Sequence, residues 1–183
     1  MPESNIRIYP SSVANLKKKK LNLPLIYQVQ SEWCWAACAN MVLRFCVNAQ
    51  NSNCDIVNWL LNQTNCCSAS NSISCNRNCQ WADIEKIYTH WNITCTQIND
   101  NIPFNDIITE IDNNRPVQIG YQWDFGGGHV VVAIGYNLSS DNKQYVYLND
   151  PIRGHGWYLY TNIINAGGKG KWVYTWKNVK KNN

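Results

Sequence analysis

Apolar positions recur at helical spacing through the first half of the chain and at strand spacing from Pro116 onward. Over residues 33–47, Ala36, Ala37, Met41, Val42 and Phe45 share one helical face. Residues 55–62 carry Ile56, Trp59 and Leu60 at i, i+3, i+4, and residues 82–91 carry Ile84, Ile87, Tyr88 and Trp91 in the same register. A short strand follows over 93–98. Pro103 then opens a fourth helix over 104–113, with Ile107, Ile108 and Ile111 apolar. Beyond it, 117–123, 129–136, 144–148, 157–161 and 171–176 are rich in β-branched and aromatic residues and predict strands. The run from His129 to Tyr136 is apolar almost throughout, as in a buried strand. Helices first and strands afterwards predict an α+β domain.

Length and composition narrow this picture. A chain of 183 residues is most simply one domain with a real core. A hydrophobic content of 45% and nine tryptophans argue against disorder. Residues 1–24 are poorly patterned and read as a lead-in or arm, 25–178 as a single domain, and 179–183 as a basic tail. The net charge of +4 owes much to the lysines at 17–20 and to Lys177, Lys180 and Lys181, which look like solvated ends and not a nucleic-acid surface. No run approaches the roughly 20 apolar residues of a membrane span. Met1 to Asn5 offers no apolar signal core.

Of nine cysteines, Cys46, Cys54, Cys66, Cys67, Cys75, Cys79 and Cys95 fall in a polar, loop-rich stretch at about 46–95 that resembles a disulfide-stapled insertion. Cys34 and Cys38 complete the set. The odd total suggests four bridges and one free thiol, Cys34, in an oxidising compartment, so a secreted or extracytoplasmic setting. The competing zinc reading, on Cys66, Cys67, Cys75 and Cys79, lacks clean CxxC pairs.

Cys34 stands in the first turn of the predicted 33–47 helix, where the helix N-terminus favours a thiolate. Gln28, six residues upstream, can offer an amide donor to an oxyanion; Gln30 is its rival. Of three histidines, His129 opens a buried strand behind a triple glycine and is placed to face a cleft, whereas His90 ends a helix and His155 sits in a Gly-rich turn. An antiparallel hairpin of 129–136 with 144–148 brings the end of the second strand to the start of the first. Asp150 then neighbours His129 as its orienter, with Asn149 as the alternative.

Gln28 with Cys34-Trp35-Ala36-Ala37, Gly128-His129-Val130, and Asn149-Asp150-Pro151 together resemble the three blocks of a papain-like cysteine protease. The bacterial branches, bacteriocin leader peptidases and plant-pathogen effector proteases, are the nearest in pattern. The resemblance runs from about Leu25 to Gly156. It implies a two-lobed fold, a helical lobe carrying the nucleophile and a sheet lobe carrying the base. It also implies Cys34 as nucleophile, His129 as base, Asp150 as orienter and Gln28 as oxyanion donor, a peptide or protein substrate, no cofactor and no metal. Trp35, Trp123, Gly127 and Gly128 are the expected substrate-binding residues, the last three on a cleft-edge loop. The same triad serves a transglutaminase, deamidase or ligase, and a non-catalytic Cys-rich binding module is the alternative without chemistry. A monomer is assumed.

Overall fold

The computed structural model describes residues 17–68 and 73–182. Four helices precede most of the sheet: α1 (Cys34–Val47), α2 (Asn53–Leu61), α3 (Trp81–His90) and α4 (Phe104–Asp112). The strands are β1 (Lys18–Lys20), β2 (Ile93–Ile98), β3 (Val117–Trp123), β4 (Gly128–Leu138), β5 (Gln144–Asp150), β6 (Gly154–Leu159) and β7 (Gly170–Lys181), with a short α5 (Tyr160–Ile164) before the last. They form one antiparallel sheet ordered β2-β7-β3-β4-β5-β6, with β1 pairing the far end of β4.

Local chemistry explains the element starts. Ser52 caps α2 reciprocally with Asp55, its hydroxyl accepting from the Asp55 N–H while the carboxylate accepts from the Ser52 N–H. The Gln80 N–H donates to Asp83 Oδ2 at the start of α3. α1 is nearly all core: residues 35–43 are buried along it, packed towards β4 and the neighbouring helices. Wholly buried Ile84, Ile87, Ile107 and Ile111 supply the apolar stripes of α3 and α4.

Both lysine-rich segments differ from the expectation of solvated ends. Lys18–Lys20 is a strand, and Leu21 and Leu23 behind it are buried. Its ammonium groups have partners: Lys19 Nζ donates to the Asp112 carbonyl, Lys18 lies over Trp157 at 5.2 Å and Lys20 over Tyr147 at 4.5 Å. Gly135 permits the approach, since a Cβ there would lie 2.8 Å from the Lys19 carbonyl. At the other end β7 runs to Lys181 and pairs with β2, and Val179 is buried. The expected strand at 157–161 is displaced: β6 starts at Gly154, and the chain turns helical at Tyr160, whose hydroxyl anchors to the Ile102 carbonyl.

The cysteine pairing is also simpler than expected. The bridges are Cys54–Cys67 and Cys66–Cys75, two and not four, and Cys34, Cys38, Cys46, Cys79 and Cys95 are free thiols among the described residues. Burial disfavours the thiolate at three of these, pushing the Cys46 pKa up to about 11, Cys95 to about 12 and Cys79 higher still. The alternative zinc quartet loses three of its four sulfurs to the bridges.

Candidate active site

Cys34 is the first residue of α1 and is partly exposed, unlike the nine residues after it. Trp33, at the N-cap, supplies no side-chain cap to the first turn of α1. The buried indoles on either side fix the turn: Trp33 Nε1 donates to the Cys75 carbonyl at 2.9 Å and Trp35 Nε1 to the Arg77 carbonyl at 3.1 Å. Asn76 completes the junction, accepting from the Glu32 N–H at 2.9 Å and donating to Ser31 Oγ at 2.9 Å. The disulfide-bearing segment is thereby stitched to the turn that presents Cys34. Cys38, one turn on, is fully buried, and its thiol donates to the Val130 carbonyl at 3.2 Å. Burial, then the nearby Cys34 and Asp150 charges, holds its pKa well above that of an ordinary thiol.

His129 enters from the sheet. Its Nε2 lies 2.9 Å from Asp150 Oδ1, at the end of the neighbouring strand β5. Burial lowers the imidazole pKa, but the bonds to Asp150 and Cys34 outweigh it and lift the value to about 9. The Asp150 carboxylate shows the reverse balance. Burial raises its pKa, while His129 and the N–H groups of Ile152 (2.8 Å) and Arg153 (3.1 Å) lower it further, and the net shift is downward. Asn149 points to the opposite face of β5, buried, with Nδ2 donating to the Leu23 carbonyl. His90 is elsewhere, stacked on Trp59, and His155 pairs with Tyr147.

The remaining expected site residues divide. Trp123 stacks on His129 at 6.1 Å with an interplanar angle of 15°, and lines the cleft with Gly127 and Gly128. Trp35 is only 2% exposed and serves mainly as wall and core. Gln28 stands apart from its expected duty. Its Nε2 donates to the carbonyls of Gln30 (2.8 Å) and Ser31 (2.7 Å), because the turn before α1 folds back over it. Its Oε1 is buried without a hydrogen-bond partner among the described residues.

The cleft between helical and sheet lobes has a volume of about 720 Å³ and is lined by Cys34, His129, Glu32, Asn78, Trp123 and Arg153 among others. Asn78, Arg153 and Trp81 were not singled out in the sequence; no motif marks them, and only the folded insert and the 151–153 turn bring them there. Trp81 narrows the space beside Cys34 and Gly128 to a hollow of about 190 Å³. A Cβ on Gly128 would lie 2.7 Å from the Tyr121 carbonyl and 3.0 Å from the Trp81 ring. Gly128→Ala is therefore expected to lower stability by roughly 1–3 kcal/mol, by overpacking next to His129. Chemical denaturation checks this, and an unchanged midpoint contradicts it.

Comparison with known proteins agrees with this architecture. The Peptidase_C39-like family profile matches residues 20–182. A double glycine motif protease from an AMS/PCAT transporter, solved in complex with the leader peptide, is 16% identical with a TM-score of 0.52, covering 86% of this chain and 93% of that one. The peptidase domain of Streptococcus ComA, a bi-functional ABC transporter involved in quorum sensing, is 12% identical with a TM-score of 0.56, covering 87% and 98%. No curated protein matches the chain significantly. The profile spans nearly all of the α+β domain built around this cleft, so the chain belongs to the Peptidase_C39-like family and is a cysteine peptidase of papain-like fold.

Proposed function

We propose that Cys34, His129 and Asp150 carry the peptidase chemistry, and that the substrate is a peptide with small residues on the acyl side of the scissile bond. The observation that carries the reading is the 2.9 Å contact of His129 Nε2 with Asp150 Oδ1, at a histidine that lines the same cleft as Cys34 at the start of α1. Asp150 holds the Nε2 proton, which leaves Nδ1 for the Cys34 thiol. The thiolate adds to the peptide carbonyl. The tetrahedral oxyanion is stabilised by the Cys34 backbone N–H and the positive end of α1. The His129 imidazolium gives its proton to the departing amine, the thioester forms, and water with His129 as base releases the acid.

Gln28 joins the oxyanion site by exchanging one of its two loop carbonyls for the substrate oxygen. On this reading Gln28→Ala lowers kcat by about 10²–10³ with KM little changed. An unaltered kcat assigns the side chain to holding the loop instead. The narrow hollow between Gly128 and Trp81 supports small acyl-side residues, a Gly-Gly pair being the simplest, by analogy with the double glycine motif protease. The two disulfides support an extracytoplasmic setting. Among the described residues no helix is long and apolar enough to cross a membrane.

The test is digestion of peptides containing Gly-Gly, with products identified by mass spectrometry, before and after iodoacetamide treatment at neutral pH. Cleavage after the glycines, abolished as Cys34 is alkylated, is the expected result. Cleavage that survives complete Cys34 alkylation overturns the assignment. An amine added to the same digest shows whether the acyl group passes to water or to the amine.

A further inference from the structure

A second cavity, of about 170 Å³, opens beyond His129. Strand alternation builds its floor. His129 and Val131 project from the same face of β4, Tyr121 on β3 is the register partner of His129, and Leu148 and Asp150 project from the matching face of β5. α5 and the turn after it cross this face and place Ile163 and Ala166 over the floor, with Tyr158 as the outer wall. Tyr121, Val131, Leu148 and Ile163 are each 5% exposed or less, so the walls are fixed. The cavity meets the main cleft at Trp123, His129 and Arg153, which line both. Cys34 lines the main cleft and the hollow near Trp81, but not this cavity.

That separation has a chemical meaning. In acyl transfer the carbonyl half of the substrate becomes bonded to Cys34, and the amine half departs with a proton from His129. A cavity that touches the base and not the nucleophile lies on the path of the departing half. We infer that it is a specificity pocket for a side chain of the leaving fragment, within the first two residues after the scissile bond, and that it selects a branched aliphatic or aromatic side chain. This rests on the catalytic reading above and names its substrate class more closely. The size fits, since an apolar cavity of about 150 Å³ can hold a benzene ring. Tyr121, Val131, Leu148, Tyr158 and Ile163 give it an aliphatic and aromatic wall, with His129, Asp150, Arg153 and Asn162 as its polar members. An acidic side chain is disfavoured, because the Asp150 carboxylate lines the same space. The Arg153 guanidinium, which has no ion-pair or hydrogen-bond partner among the described residues, stands where the two spaces join and can donate to a main-chain carbonyl of the leaving peptide.

The experiment uses peptides with one acyl half ending in Gly-Gly, followed by an otherwise fixed sequence with Ala, Leu, Phe or Glu at the first or second position. Leu or Phe is expected to raise kcat/KM over Ala by about 10- to 100-fold at one of these positions, the range that burial of such a side chain supplies, with Glu no better than Ala. Ala166→Phe fills the cavity and is expected to reduce the ratio of Leu to Ala rates, measured on the same variant, below about 2-fold. Tyr158→Ala, at the exposed wall, is a second variant and should move the preference towards Phe. Equal rates for Ala and Leu in the wild type overturn the pocket, as does a Leu advantage that survives Ala166→Phe with Tyr158→Ala also silent. These outcomes differ from failure of the catalytic reading, in which Cys34 alkylation leaves cleavage intact or no peptide is cut at all, and the pocket's role falls with it.

Discussion

Cys34→Ala is expected to reduce peptide cleavage to background, a loss on the order of 10⁶ in kcat, and His129→Ala to do the same within about tenfold. On the proposed mechanism the two groups act as one unit, so the double variant should be scarcely worse than either single one. The size of the effect follows from what each change removes. Without the Cys34 sulfur no thioester can form. Without the His129 ring the thiol has no neighbour to take its proton, and the departing amine has no donor. Neither change should unfold the domain: Cys34 lies at a partly exposed helix start, and alanine there keeps the helix. The control is Cys38→Ser. Cys38 is buried, with its thiol on the Val130 carbonyl, and is expected to affect stability while leaving cleavage by the folded protein near wild-type. Progress curves with circular dichroism on each variant decide this. If Cys34→Ala retains more than a few per cent of wild-type turnover, the nucleophile lies elsewhere.

Much of this arrangement is legible in the chain, and the parts that are not share a physical reason. The helices at 34–47, 53–61, 81–90 and 104–112 and the strands from β3 to β5 carry their own apolar periodicity, so each is found close to its true bounds. β1 escapes because three lysines have no hydrophobic period. Their strand exists through pairing with β4, the absence of a side chain on Gly135, and cation–π contacts with Trp157 and Tyr147. The turn at Tyr160 depends on its hydroxyl reaching the Ile102 carbonyl, 58 residues earlier in the chain. Parity arithmetic on nine cysteines gives four bridges only when eight of the sulfurs meet in pairs, and the fold brings together only Cys54 with Cys67 and Cys66 with Cys75, leaving Cys38, Cys46, Cys79 and Cys95 as thiols. The choice between Asn149 and Asp150 is decided by strand parity, and a dipeptide does not reveal which of two adjacent side chains faces the histidine. Gln28 shows the limit of spacing arguments. Six residues place it near the nucleophile, but its amide hydrogens are claimed by carbonyls of the intervening turn.

Asp150→Asn is expected to lower kcat by roughly 10- to 10³-fold while leaving the fold intact, through loss of the negative charge opposite the His129 imidazolium. Asp150 Oδ1 accepts from His129 and from the N–H groups of Ile152 and Arg153. In an asparagine the same three donors can hold the carbonyl oxygen, so the ring tautomer is kept and what is lost is the negative charge opposite the imidazolium. The same change alters the pH behaviour. In the wild type the His129 pKa is raised to about 9, so on the proposed mechanism the imidazolium that protonates the leaving amine is lost only as pH rises through about 9, and activity should fall there. The pair's contribution to stability has the same sign. It is fully present below the unfolded histidine value of about 6.5 and disappears as pH rises through the folded value. The depressed Asp150 pKa sets the acid side, with its contribution present above the unfolded carboxylate value of about 3.9 and lost as pH falls through the folded one. In Asp150→Asn burial of the ring has lost its main opponent, so the alkaline limb should move to lower pH and the alkaline loss of melting temperature should flatten. Profiles of kcat/KM against pH with parallel thermal melts test both. A limb that stays at about 9 in the variant assigns that titration to a group other than His129.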